Sequence, residues 1–212
     1  IYTITITDAI TLCTEEVTVS LQEAVPPTIS TNSTAVVCFG DNTGSFELNV
    51  NGYSGAYDYE VFDSSSISVF GVVNANTSTN PITVTGMTAG TFTVVITATE
   101  SPFCNSTATV VISSPSEALT LDASETSNVT CNDSQGTITA IATGGWGDYQ
   151  YELTGDATVA FSSNGTFTNL SAGSYTVNVM DAEGCVASEA IVLIAPLPID
   201  AMFTPSTTIL SC

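Results

Sequence analysis

The chain contains no lysine, no arginine and no histidine in 212 residues. At ordinary usage roughly one residue in nine would be Lys or Arg, so losing every one by chance over this length is negligible. Each absence excludes a class of function. Without a cationic side chain the protein cannot neutralise phosphates, which removes nucleic-acid binding, and a phosphate-cradling Walker loop lacks its lysine. Without imidazole there is no Ser-His-Asp triad, no Cys-His pair and no histidine metal site. Salt bridges between side chains cannot form, and basic attraction to an anionic membrane is missing. No apolar run of about 18 residues is present to span a bilayer. The opening from Ile1 carries no signal-peptide pattern, and the chain reads as a piece of a longer protein cut within a domain at both ends.

What remains is acidic but not a disordered acidic tail. The 21 Asp and Glu residues set a formal charge of −21 and a pI near 4.1, yet only 10% of residues are charged. Hydrophobic residues make up 43% and the mean hydropathy is +0.34, which is enough apolar material to bury a core. Ser and Thr together number 60. Thr, Val and Ile favour strands, while Lys and Arg are missing and Leu is sparse, so composition points to an all-β fold.

Cysteine spacing exposes internal repeats. Cys13, Cys104 and Cys185 are 91 and 81 residues apart, and Cys38, Cys131 and Cys212 are 93 and 81 apart. Two interleaved series therefore share one period. Flanking motifs recur with them. Gly44-Ser45-Phe46-Glu47-Leu48 matches Gly136-Thr137-Ile138-Thr139-Ala140. Tyr57-Asp58-Tyr59-Glu60-Val61 matches Tyr149-Gln150-Tyr151-Glu152-Leu153. Met87-Thr88-Ala89-Gly90-Thr91-Phe92 matches Leu170-Ser171-Ala172-Gly173-Ser174-Tyr175. Prolines at 26–27, 115 and 196–198 suit junctions because Pro cannot donate to a ladder. The organisation expected is the end of one repeat (1–25), two whole repeats (26–115 and 116–197) and the start of another (198–212).

Each repeat reads as a seven-stranded, immunoglobulin-like antiparallel sandwich of the fibronectin III or PKD kind. Period-two alternation sets the inward face. Tyr57, Tyr59 and Val61 point in, as do Tyr149, Tyr151 and Leu153; Phe92, Val94 and Ile96 match Tyr175, Val177 and Val179. Tyr2, Ile4 and Ile6 are expected to be the same inward face of the truncated repeat.

The repeat unit runs Cys131, Gly136, Tyr149 and Tyr151, Leu170 through Val179, then Asp181 through Cys185 and Pro196. It resembles the SprB-type repeats of very large Bacteroidota cell-surface proteins. The first repeat departs from the pattern, with Glu100-Ser101-Pro102-Phe103-Cys104 where Asp-x-x-Gly-Cys is expected and with a longer middle segment. The resemblance implies a tandem stalk or gliding adhesin exported by the type IX route. It supplies no catalytic site and no ligand.

Six cysteines in a fixed context imply an oxidising, extracellular setting. Two connectivities are open. One lies within repeats, Cys38–Cys104 and Cys131–Cys185. In an Ig-like topology those partners sit at opposite poles, about 30 Å apart for a nine-residue strand, whereas a disulfide needs Cα atoms roughly 4.4–6.8 Å apart. In a head-to-tail stack Cys38 of one repeat would instead face Cys185 of the next. That makes Cys38–Cys185 the favoured bond, with Cys13, Cys104, Cys131 and Cys212 pairing outside the sequence.

Other candidates are weaker. Asp41, Asp181 and Glu183 are oxygen ligands that could meet around Ca²⁺, against a plain reading as solvated loop acids. No other cofactor is expected. Trp146, in Gly144-Gly145-Trp146-Gly147, reads either as a core lid or as an exposed ligand contact. Seven Asn-x-Ser/Thr sequons occur, a mild excess for so Ser/Thr-rich a chain. Nothing places two carboxylates across a cleft, so no enzyme is expected. The partners expected are neighbouring repeats of the same chain, with surface polysaccharide or outer-membrane machinery beyond them. The expected function is a structural stalk of a secreted surface adhesin. The alternatives are a glycan-binding or accessory module and a self-assembling sheath.

Overall fold

The computed structural model describes residues 1–20, 25–76, 79–100, 103–130 and 135–197. Among the described residues there are sixteen strands and no α-helix. A hairpin comes first, β1 (Tyr2–Thr7) and β2 (Thr14–Val19). Seven strands follow: β3 (Thr28–Thr34), β4 (Gly44–Asn51), β5 (Ala56–Phe62), β6 (Ser68–Asn76), β7 (Ile82–Met87), β8 (Gly90–Ala98) and β9 (Asn105–Ile112). Seven more repeat them: β10 (Thr120–Ser127), β11 (Gly136–Thr143), β12 (Gln150–Gly155), β13 (Val159–Ser162), β14 (Thr166–Leu170), β15 (Gly173–Met180) and β16 (Val186–Leu193).

Both sets of seven are wired alike. A three-stranded sheet, β3-β4-β7, faces a four-stranded sheet, β6-β5-β8-β9, and β10-β11-β14 faces β13-β12-β15-β16. Every pairing is antiparallel. First, second and fifth strands in one layer, with fourth, third, sixth and seventh in the other, is an Ig-like sandwich with Greek-key connections.

Alternation builds each core. Phe46, Leu48 and Val50 from β4 meet Tyr57, Tyr59 and Val61 from β5 and Phe92, Val94 and Ile96 from β8. In the second sandwich Ile138, Ala140 and Ala142 meet Tyr151, Leu153, Tyr175, Val177 and Val179. Tyr149 lies just before β12 and is half-buried; its hydroxyl donates to the Gly144 carbonyl at 2.6 Å. The glycine after each repeat's first cysteine has a packing cause. A Cβ at Gly44 would meet Ile112 Cγ2 at 2.5 Å, and one at Gly136 would meet Leu193 Cδ1 at 2.9 Å. The last residue of each sandwich's closing strand therefore sits on a bare backbone. Tyr175 adds a corner brace, its hydroxyl donating to the Ser171 carbonyl at 2.8 Å. Phe92 takes that place in the first sandwich and has no hydroxyl to offer.

One expectation needs correction, and one segment groups apart from its neighbours in sequence. Tyr2, Ile4 and Ile6 do not face a core; every residue of β1 and β2 is exposed. In β8 and β15 the corresponding face is covered by the opposite sheet and flanked by β5 or β12, whereas β1 pairs with β2 alone. The segment Val37–Asp41, expected inside the repeat of 26–115, also behaves differently. Contacts divide the chain into one unit of Ile1–Val36 with Asn42–Ser113 and a second that takes Val37–Asp41 together with the chain from Ser114 onward.

The Tyr57 hydroxyl is buried without a hydrogen-bond partner among the described residues. Burial, and secondarily the charge Tyr59 would carry, pushes the Tyr57 phenol above its ordinary value. Burial and then Asp156 do the same at Tyr175. A raised folded value leaves stability intact below the unfolded value of about 10 and removes it as pH climbs through the folded one. Replacing Tyr57 by Phe removes the stranded hydroxyl and the titration together. Urea unfolding of Tyr57→Phe at pH 7 should show a gain of about 1 kcal/mol, and its alkaline unfolding, followed by circular dichroism, should begin at higher pH than in the parent chain.

Candidate functional site

The most organised surface feature lies in the second unit, where the β15–β16 turn, the β11–β12 loop and the segment Val37–Asp41 converge. Asp181 is its hub. It follows β15 directly and is only 4% exposed, although it is an acid in a chain with no cation. Backbone amides take the place of a counter-ion. Asp181 Oδ1 accepts from the Glu183 and Cys185 amides at 3.1 and 2.9 Å, and Oδ2 accepts from the Trp146 amide at 2.9 Å. The turn closes with the Asp181 amide on the Cys185 carbonyl at 3.0 Å. A buried carboxylate is tolerable only when its lone pairs are filled in this way.

The β11–β12 loop needs its glycines. Gly144, Gly145 and Gly147 have φ of 76°, 59° and 82°, in the left-handed region that costs other residues most. A Cβ on Gly145 would also lie 2.5 Å from Asp181 Oδ2. The loop is pinned by the Gly145 amide on the Glu117 carbonyl (3.0 Å) and by the Ala182 amide on the Gly147 carbonyl (3.1 Å).

This platform holds Val37–Asp41. The Trp146 indole Nε1 donates to the Val37 carbonyl at 2.7 Å. One residue further on, Cys38 is bonded to Cys185, with Cα atoms 5.7 Å apart and a sequence separation of 147. Beside the bond lies an open cleft of about 330 Å³ whose lining includes Cys38, Phe39, Leu119, Cys185 and Val186. The Cys38–Cys185 bond rules out both Cys38–Cys104 and Cys131–Cys185. Trp146 is half-buried, and both its backbone and its indole nitrogen are engaged.

The other hairpins share the turn's frame. Asp8 donates its amide to the Cys13 carbonyl at 2.9 Å, and Ala98 donates to the Cys104 carbonyl at 2.9 Å, each like Asp181 to Cys185. Asp8 also copies the side-chain role, accepting from the Ile10 and Thr11 amides at 2.9 and 2.7 Å. Those amides, Thr11 first, hold its carboxyl below the usual range. What Asp8 contributes is present above the unfolded carboxyl value and is lost as pH falls through the lowered folded value. Ala98 lacks such a side chain, which is the structural meaning of the altered motif at 100–104. Cys13 is an exposed thiol and Cys104 is half-buried. Cys131 and Cys212 lie outside the described residues.

The three calcium candidates differ in their surroundings. Asp181 is committed to amides, Glu183 is exposed, and Asp41 is half-buried with its amide on the Cys38 carbonyl. Among the described residues no three His, Cys, Asp or Glu side chains form a metal cluster. The reading of these acids as plain solvated loop residues fails at Asp181, which is buried and organises the turn. Sequence reasoning missed that role and the Trp146–Val37 hook. The Asp-x-x-Gly-Cys spelling was the available signal, since an acid and a glycine just ahead of the cysteine are what the amide-filled turn requires.

The SprB repeat family matches at residues 30–65 and 123–158, one match in each sandwich, and these two matches support a SprB-type repeat region. Each match takes in the repeat's first cysteine, the packed glycine and the Tyr-x-Tyr strand. No curated protein sequence matches the chain. Among solved structures it is similar to a C-terminal 282-residue fragment of intimin bound to the translocated intimin receptor's intimin-binding domain (16% identity, TM-score 0.43), covering 78% of this chain and 64% of that one. It is also similar to the DIP-gamma IG1+IG2 pair (10% identity, TM-score 0.40, 81% and 98% covered) and to fibronectin(III)-like modules of Clostridium thermocellum CbhA (12% identity, TM-score 0.31, 84% and 100% covered). The chain thus spans under two thirds of the intimin fragment.

If Asp181 carries the turn, Asp181→Ala strands three amides and should cost at least about 3 kcal/mol. Gly145→Ala should cost roughly 1–3 kcal/mol from its positive φ and the clash with Asp181. Urea unfolding followed by Trp146 fluorescence measures both.

Proposed function

We infer that this chain is a structural segment of a secreted cell-surface stalk, in which the first cysteine of each repeat is bonded to the hairpin cysteine of the following one. The observation that carries the reading is the Cys38–Cys185 bond, which joins a first cysteine of the 38/131/212 series to a hairpin cysteine of the 13/104/185 series in the following repeat. Repeated along a longer chain, the same rule takes Cys13, Cys104, Cys131 and Cys212 to cysteines of neighbouring repeats. The SprB matches and the Ig-like sandwiches fit a structural or adhesin-like repeat module. They also fit a secreted or surface location, as does a disulfide.

The charge pattern suits the role. Uniform negative charge keeps neighbouring stalks apart at low salt, with a reach of about 10 Å at 0.1 M. The absence of Lys and Arg removes every site for trypsin-like proteases. Partners in this reading are adjacent repeats, with a distal adhesive region engaging surface polysaccharide or outer-membrane machinery in attachment or gliding. No catalysis and no cofactor are required. The glycan-binding alternative rests on Trp146, and its engagement with Val37 and Asp181 favours the structural role.

Non-reducing peptide mapping with an Asp/Glu-directed protease tests the reading. A Cys38–Cys185 peptide is expected, and a Cys38–Cys104 peptide would sink it. Replacing Cys38 and Cys185 with Ser should lower stability by roughly 2–5 kcal/mol in urea. Glycan-array binding that is lost in Trp146→Ala would turn the assignment to the alternative.

A further inference from the structure

Chain order around the Cys38–Cys185 bond has a mechanical consequence. The bond closes a loop that contains β4 through β15, twelve of the fourteen sandwich strands. Of the fully buried core members only Val36 and Leu193 lie outside that loop. The geometry points to a load bypass: tension applied along the chain runs from residues 1–38 through the disulfide to residues 185–212, and the two cores are left out of the force path. This deepens the stalk reading and rests on it, because it assigns the staple a task that independent beads on a string would not need.

Without the bond, tension would pass through every strand in series. Resistance would then come from antiparallel ladders whose hydrogen bonds contribute only about 0.5–1.5 kcal/mol net each. With the bond, the load meets a covalent link first. Of the sandwich strands only β3, next to Cys38, and β16, next to Cys185, stay on the path, after the β1–β2 hairpin. β3 is zipped to β4 from Thr28↔Asn51 to Thr34↔Ser45, and β16 to β15 from Val186↔Met180 to Leu193↔Gly173. These two edge strands can peel, and peeling releases no residue between 38 and 185.

The arrangement also explains why the staple is placed out of step. A bond within one repeat would enclose that repeat and leave each junction to bear tension. A bond from one repeat's first cysteine to the next repeat's hairpin encloses the junction at 113–119 as well. Because Cys131 precedes Cys185, a bond from Cys131 to a later repeat would overlap this loop, and the overlap would leave no junction unspanned.

Single-molecule pulling on the 212-residue chain, held at its two ends, decides the matter. The oxidised chain should lengthen by no more than the 37 residues before Cys38 and the 27 after Cys185 allow, roughly 220 Å at about 3.5 Å per residue. A Cys38→Ser/Cys185→Ser chain, or the parent after reduction, should release a further 147 residues, roughly 500 Å, as the two sandwiches open. If the unstapled chain shows no further release at the same loads, the sandwiches bear tension unaided and the bypass is wrong. Full extension of an oxidised chain whose peptide map shows the bond means that the link breaks under load, which also overturns the bypass but leaves the stalk reading intact. Full extension with no such peptide overturns both.

Discussion

A chain whose side-chain charges are all negative has no cationic partner to offer a buried carboxylate, so backbone amides take that role, and this constraint shapes several turns of this protein. Asp181 accepts from three amides, Asp8 from two, and Asp63 from those of Ser65 and Ile67. Asp156 accepts from the Ser174 amide and Glu189 from the Ala123 amide. In a chain with Lys and Arg, acids such as these could pair with side chains that move independently of the fold. Here each is tied to a defined turn or strand edge, so acid placement and backbone conformation specify one another. Loss of the Asp181 or Glu189 carboxylate strands donors that are at least partly buried, which costs more than the bond itself contributes.

The two sandwiches meet this constraint unequally. The second has the amide-filled Asp181 turn, the glycine-rich loop bearing Trp146 and the Tyr175 brace. The first has Ala98, Ser54 and Phe92 at the corresponding places and spends its extra length on β6, nine residues against four in β13. Equal strand order with unequal trimming is what tandem repeats allow, since the pattern of burial specifies the layers while turns remain free to specialise. In this chain the specialised end is the one that receives Val37–Asp41.

That reception links fold to function. The Asp181 turn presents Cys185, the Trp146 loop holds the Val37 carbonyl, and the disulfide locks the adjacent residue. A weak hydrogen-bonded clasp would position the thiols, and oxidation would then make the placement permanent, in keeping with an extracellular setting. Trp146 and Asp181, two residues that invited a ligand in the sequence, are both engaged in holding this segment.

Much of the architecture was legible in the residues themselves. Alternation at Tyr57, Tyr59 and Val61, or at Tyr175, Val177 and Val179, marks strands and their inward faces because the side-chain period of a strand is two. The recurring cysteines, glycines and prolines mark the period of the repeat. Spacing also narrowed the cysteine pairing to two choices, one of which requires partners at opposite poles. Tertiary structure alone decided the rest. Tyr2, Ile4 and Ile6 have the pattern of a core face yet stand exposed, because burial depends on what lies opposite and the local pattern cannot supply it. Asp181 looks like any loop acid until three amides from two separate loops are seen to converge on it. Val37–Asp41 belongs to the first repeat in sequence and to the second unit by contact, because membership of a folded unit is set by packing and bonding across 147 residues of chain and not by position along it.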